Sequence, residues 1–79
     1  MEKERITCEI VKHIGTISAS PKSWPLELNM VSWNGQEAKF DLRDWSPEHN
    51  RSGRGNTLTT EEARTLYALL GKELMSIGE

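Results

Sequence analysis

A single cysteine, Cys8, occurs in the 79-residue chain, so no disulfide within the chain can reinforce the fold. No apolar run approaches the ~20 residues needed to span a bilayer, and no hydrophobic signal segment opens the sequence. With the lone thiol, these absences lead to the expectation of a cytoplasmic bacterial-style or a nuclear protein, with no membrane partner. Aromatic residues are few: three tryptophans, one tyrosine and one phenylalanine. An excess of basic charge is missing as well, since the formal net charge is −2 and the pI is about 5.7. That balance excludes a wholly basic domain, the usual footprint of nucleic-acid binding. The length allows one domain, residues 1–79. A domain of this size buries only about 60% of its unfolded surface. Self-association is the remaining route to stability, so a homodimer is expected.

The charges that are present are segregated. Glu2, Glu4, Glu61, Glu62, Glu73 and Glu79 lie toward the ends of the chain. Residues 39–55 instead hold Lys39, Arg43, Arg51 and Arg54 against Asp41, Asp44 and Glu48, leaving that segment locally positive. Residues 1–5 read as a charged terminus. Residues 6–20, rich in Ile, Val and Thr, suit a strand. The alternation of Ile6, Cys8 and Ile10 slips at Ile14 and Ile17, which predicts a bulge near Gly15. Residues 24–33 alternate cleanly, with Leu26, Leu28 and Met30 on one face and Glu27, Asn29, Val31 and Trp33 on the other.

Asn34-Gly35 is a strong hairpin signal, because both positions tolerate positive φ. Residues 38–45 alternate again: Ala38, Phe40 and Leu42 on the apolar face, Lys39, Asp41, Arg43 and Trp45 outward. Pairing the two strands separates an aliphatic side from a side bearing Trp33, Lys39, Arg43 and Trp45. Residues 46–56, with Pro47, Gly53 and Gly55, predict a loop leading into a short fourth strand through Thr57. Thr59-x-x-Glu62 is a capping box that opens a helix. Ala63, Leu66, Tyr67, Leu70, Leu74 and Ile77 then form one apolar stripe, core or dimer interface, and Gly78 is a natural stop. The expected architecture is α+β: a four-stranded antiparallel sheet followed by one C-terminal helix.

Tryptophans placed outward beside bases point to stacking of nucleobases, which contributes about 1–3 kcal/mol per base and tolerates any sequence. Lys39 and Arg43 on the same face would track the backbone. The R-S-G-R-G-N run at residues 51–56 offers arginines and close-approaching amides to phosphates, without the spacing of a P-loop. Cys8, His13 and His49 lack zinc spacing. The short E-A-K pattern at Glu37 is too weak to argue for a nuclease. No enzyme activity, metal or cofactor is expected.

F-D-L-R-D-W, then a proline-containing loop and G-R-G-N-T-L-T-T-E-E, resembles the C-terminal domain of the transcriptional coactivator positive cofactor four. The small bacterial YdbC-type members, with an L-N-x-V-S-W-N hairpin like that at residues 28–34, are the most similar. The resemblance covers about residues 26–70. It implies a curved four-stranded sheet with a C-terminal helix, dimerised in part through the helices. It also implies binding of single-stranded DNA with little sequence preference. The family's stacking aromatics fall on Trp33 and Trp45, although two aromatics often stand where this chain has Trp45-Ser46. Its strand arginine falls on Arg43. Its basic loop is longer and richer in lysine, and Arg51 and Arg54 match it in role.

The expected function is therefore a homodimeric, non-enzymatic single-stranded DNA-binding protein, nucleoid-associated, in transcription regulation or another DNA transaction. Trp33, Asn34, Lys39, Arg43, Trp45, Arg51 and Arg54 are the expected contacts, and transcription machinery is a candidate partner. The alternatives are single-stranded RNA and a protein-interaction module anchored on the exposed tryptophans.

Overall fold

The computed structural model describes residues 7–78. Ile6 and the charged terminus at residues 1–5 lie outside that range. Four strands and a helix follow in order: β1 (Cys8–Ser20), β2 (Ser23–Trp33), β3 (Lys39–Trp45), β4 (Ser52–Leu58) and α1 (Thr60–Ile77). The strands form one antiparallel sheet in the order β1-β2-β3-β4, so the expected α+β architecture is present. The slip foreseen near Gly15 falls between His13 and Gly15, one of four register shifts that bend β1 against β2.

The β2–β3 connection sets which side chains face each other. Asn34 and Gly35 both adopt positive φ, 52° and 76°, and the Gln36 amide closes the turn on the Trp33 carbonyl at 3.0 Å. A two-residue hairpin continued without interruption would place Met30 opposite Lys39. The observed ladder instead pairs Met30 with Phe40 and Leu28 with Leu42. One extra residue between Val31 and Lys39 absorbs the difference and brings the aliphatic residues onto one side.

That aliphatic side is not the better-buried one. Leu26, Leu28, Met30, Phe40 and Leu42 are only half-buried. Glu27, Asn29, Val31, Asp41 and Trp45, on the side expected to face water, are buried. Curvature accounts for the reversal. The Arg43 guanidinium carbon lies 4.9 Å from the centre of the Trp33 ring, yet Arg43 pairs with Glu27, six residues back along β2 from Trp33. On a flat sheet that separation is about 20 Å, more than the two side chains reach together. The sheet is therefore concave on this face, and its polar side chains pack on one another.

One further expectation is corrected. The fourth strand begins at Ser52, so residues 52–56 are strand rather than loop, and the glycines there permit close approach of β4 to β3. A Cβ on Gly55 would collide with the Arg43 side chain and the Leu42 carbonyl, and one on Gly53 with the Asp44 carboxylate. In the helix, the capping box forms as foreseen: the Glu62 amide donates to Thr59 Oγ1 at 3.1 Å and the Thr59 amide to Glu62 Oε1 at 2.9 Å. Gly78 ends it with φ 86°. Within one chain, however, no helical residue is buried. Leu66, Tyr67, Leu69, Leu70, Leu74, Met75 and Ile77 are all exposed, and a gap of about 350 Å³ remains between helix and sheet. The radius of gyration is 14.8 Å, against about 11.6 Å for a compact chain of this length.

Candidate nucleic-acid interface

Two polar networks line the concave face. In the first, Arg43 donates through Nε to Asp41 Oδ1 at 2.7 Å and through Nη2 to Asp41 Oδ2 at 3.0 Å. Its Nη1 reaches the Gly53 carbonyl at 3.3 Å, and Thr57 Oγ1 donates to Asp41 Oδ2 at 3.0 Å. Asp41 is fully buried and the Arg43 side chain nearly so. The pairing is bidentate, the strong geometry for an arginine and a carboxylate. It holds the guanidinium over the Trp33 ring.

The second network centres on Glu27, which is 4% exposed. His13 Nδ1 donates to Asn29 Oδ1 at 2.7 Å, and Asn29 Nδ2 donates to Glu27 Oε1 at 3.1 Å. From the β3–β4 loop, His49 Nε2 donates across both carboxylate oxygens, at 3.2 and 3.0 Å. Its ring leans on Trp45, with centroids 5.8 Å apart and an interplanar angle of 31°. His49 has φ 58°. Ser46 fixes the loop, accepting from the His49 amide at 2.9 Å and from the Arg51 amide through Oγ at 3.1 Å. Ile10, His13, Glu27, Asn29 and His49 line a cleft of about 280 Å³.

Burial alone would raise the Glu27 pKa. Hydrogen bonds from Asn29 and His49 and the charges of His49 and His13 outweigh it, so the carboxyl titrates below its ordinary value of 4.5. Its pKa is thus lower folded than unfolded. The stability it contributes is complete above that ordinary value and is lost as the pH falls through the folded one. Urea midpoints measured over an acid series should therefore fall more gently in Glu27→Gln than in the parent. Equal acid slopes would show that Glu27 contributes nothing to the dependence.

The seven expected contact residues do not all meet here. Trp33 is half-buried on the concave face, and Lys39 and Arg51 are exposed. Trp45, expected to face outward, is a core residue at 3% exposure. Arg43 is held by Asp41 rather than free for phosphate. Asn34 is exposed, but its side-chain Oδ1 accepts from the Thr7 amide at 2.8 Å. Arg54 is exposed and lies at the register shift of β4 against β3, between the Gly55–Arg43 and Ser52–Trp45 pairs. The side-chain oxygens of Glu27 and Asp41 were missed. One signal for them was available: both alternate in step with Val31 and the tryptophans, apolar residues that a fully solvated face would not hold.

Among the described residues, no group of three or more His, Cys, Asp or Glu side chains is placed to hold a metal ion. None of the described helices is long and apolar enough to cross a membrane.

These features define a class: a small sheet-and-helix unit with a concave face that holds a tryptophan–arginine pair and a buried carboxylate cluster. No family model matches the chain. An uncharacterized protein of Treponema pallidum (strain Nichols) is 45% identical to it over 62 residues, covering 78% of this chain and 73% of that protein. The chain belongs to the same family as this protein.

Proposed function

We propose that the protein is a homodimeric, non-enzymatic single-stranded DNA-binding protein of the positive-cofactor-four type. It would serve transcription regulation or another DNA transaction in a bacterial cytoplasm, in association with the nucleoid. The observation that carries this reading is Trp33, half-buried on a concave sheet face with the Arg43 guanidinium against its ring at 4.9 Å. An indole held in place by a cation on one side offers its remaining surface for a base to stack on. Exposed Lys39 and Arg51 supply the phosphate contacts. A protein-docking module is the weaker reading, since one of its two tryptophan anchors, Trp45, is buried.

Labelled oligo-thymidine of about 16 nucleotides should bind in fluorescence anisotropy, with the matching duplex much weaker. The affinity should fall with salt by about 0.7 log units per phosphate contact per log unit of salt. Trp33→Ala should lower it by about 1–3 kcal/mol while the circular dichroism spectrum is kept. A salt-insensitive interaction, or unchanged affinity in the folded variant, would rule out the stacking groove. A matched RNA oligomer binding more tightly would assign the groove to RNA.

The second copy is supported by the helix. Its exposed leucines, with Tyr67 and Met75, form an apolar surface that a lone chain leaves in water. Light scattering at micromolar concentration should give the mass of two chains, and Leu70→Lys should give the mass of one. A single-chain mass for the parent protein would contradict the dimer.

A further inference from the structure

We propose that the cleft between His13 and His49 is a base-reading pocket that takes guanine from a single strand, with the Glu27 carboxylate recognising its Watson–Crick edge. This rests on the single-strand reading above and adds a specificity that stacking on Trp33 does not supply. The cleft of about 280 Å³ is slightly smaller than the range for ligand pockets, about 300–1,000 Å³. That size suits a single base. Glu27 and Asn29 are buried within it. The His13 and His49 side chains, 51% and 42% exposed, stand at its rim. Ile10 adds an apolar wall.

The direction of the hydrogen bonds selects the ligand. His13 donates to the Asn29 oxygen and Asn29 donates to Glu27, so the amide is committed at both ends. The cleft is left with carboxylate oxygens, which only accept. In the free protein one N–H of His49 is shared between both of them, at 3.0 and 3.2 Å. Oε1 also accepts from Asn29, whereas Oε2 has the shared His49 N–H as its donor among the described residues, which leaves hydrogen-bonding capacity unfilled. Guanine presents two neighbouring donors on one edge, N1–H and the 2-amino group, at the spacing of a carboxylate's two oxygens. Adenine and cytosine each set one donor beside an acceptor. Thymine flanks its single N–H with two carbonyl oxygens, which a carboxylate repels. Guanine alone can replace the shared His49 bond by two separate ones. His49 is the partner free to give way, because it comes from a loop and its side chain is partly in solvent.

The test uses the intact protein and oligo-thymidine carrying a central pair of guanines, inosines, adenines or cytosines, read by anisotropy. Inosine keeps N1–H and the ring system but lacks the 2-amino group, so it separates edge recognition from purine stacking. Guanine should bind at least about fivefold more tightly than inosine or thymine, the discrimination of a good bidentate contact. In Glu27→Gln, whose amide puts a donor where an acceptor is needed, the guanine-to-inosine ratio should approach one. Equal binding of all bases by the parent protein, with salt-sensitive affinity for oligo-thymidine intact, would overturn the pocket and leave the single-strand groove standing. No binding to any oligomer would overturn both. The parent protein's inosine comparison decides the matter even if Glu27→Gln fails to fold.

Discussion

Trp45→Ala is expected to remove about 3–5 kcal/mol of stability, the loss for a large aromatic deleted from a core. A chain of this size is stabilised by only about 4–12 kcal/mol in total, so the variant should unfold at much lower urea than the parent. Val31 and Trp45 are the only buried hydrophobic residues among those described. Little else stands ready to fill the space, and collapse around the cavity would also release His49 from the ring it leans on. Trp45→Phe is the informative companion. The indole Nε1 is buried without a hydrogen-bond partner among the described residues, and an unpartnered buried donor is destabilising by about 1–3 kcal/mol. Phenylalanine retains most of the volume and deletes that donor, so its loss should stay below about 1.5 kcal/mol. If Trp45→Ala kept the parent's urea midpoint and lost only DNA affinity, the outward placement read from strand alternation would be right after all.

Asp41→Ala should be nearly as damaging, at about 3–5 kcal/mol, because it strips a buried guanidinium of its counter-charge. Arg43 loses two hydrogen bonds and Thr57 loses its acceptor. The consequence reaches the binding face, since an unanchored Arg43 no longer holds the Trp33 ring. Single-strand affinity should therefore fall together with stability, which a substitution at exposed Lys39 would not do. Pairing Asp41→Ala with Arg43→Met should recover much of the stability, because a buried ion pair replaced as a unit by apolar groups is often close to neutral. It should not recover the affinity. Urea denaturation of the single and double variants checks the first point, and a double variant no more stable than Asp41→Ala would sink it.

The elements of this fold were legible because each is written locally. Alternation marks β2 and β3, Asn34-Gly35 marks the turn, and Thr59 with Glu62 marks the helix start. The choice of buried face was not local. Leu28, Phe40 and Leu70 have the composition of a core, yet one chain covers them only in part. The concave side closes through curvature accumulated over four register shifts in β1, a property no window of sequence displays. The first part of β4 was hidden for a different reason: Gly53 and Gly55 read as a loop, whereas they allow β4 to pass over Arg43 and Asp44. The site was legible in part. Trp33 and Arg43 belong to it, but as partners rather than as independent contacts. Glu27 looked like a solvated strand residue because nothing near it in sequence foretells His13, sixteen residues before Asn29, or His49, twenty-two after Glu27.

The single residue gained between Val31 and Lys39 also bears on how this chain can vary. Surface connections usually tolerate insertions and deletions well. Here the tolerance has a limit, because a strand has period two and its pairing must keep the present faces together. Removing one residue from 36–38 takes out the extra one, and the uninterrupted two-residue hairpin then pairs Met30 with Phe40, as now. Phe40 and Leu42 stay on the helix side, and Asp41 and Arg43 on the concave side. Removing two would set Met30 opposite Asp41 in that hairpin and turn β3 over. Relatives that keep both networks should therefore be at most one residue shorter at this connection, whatever residues they place there.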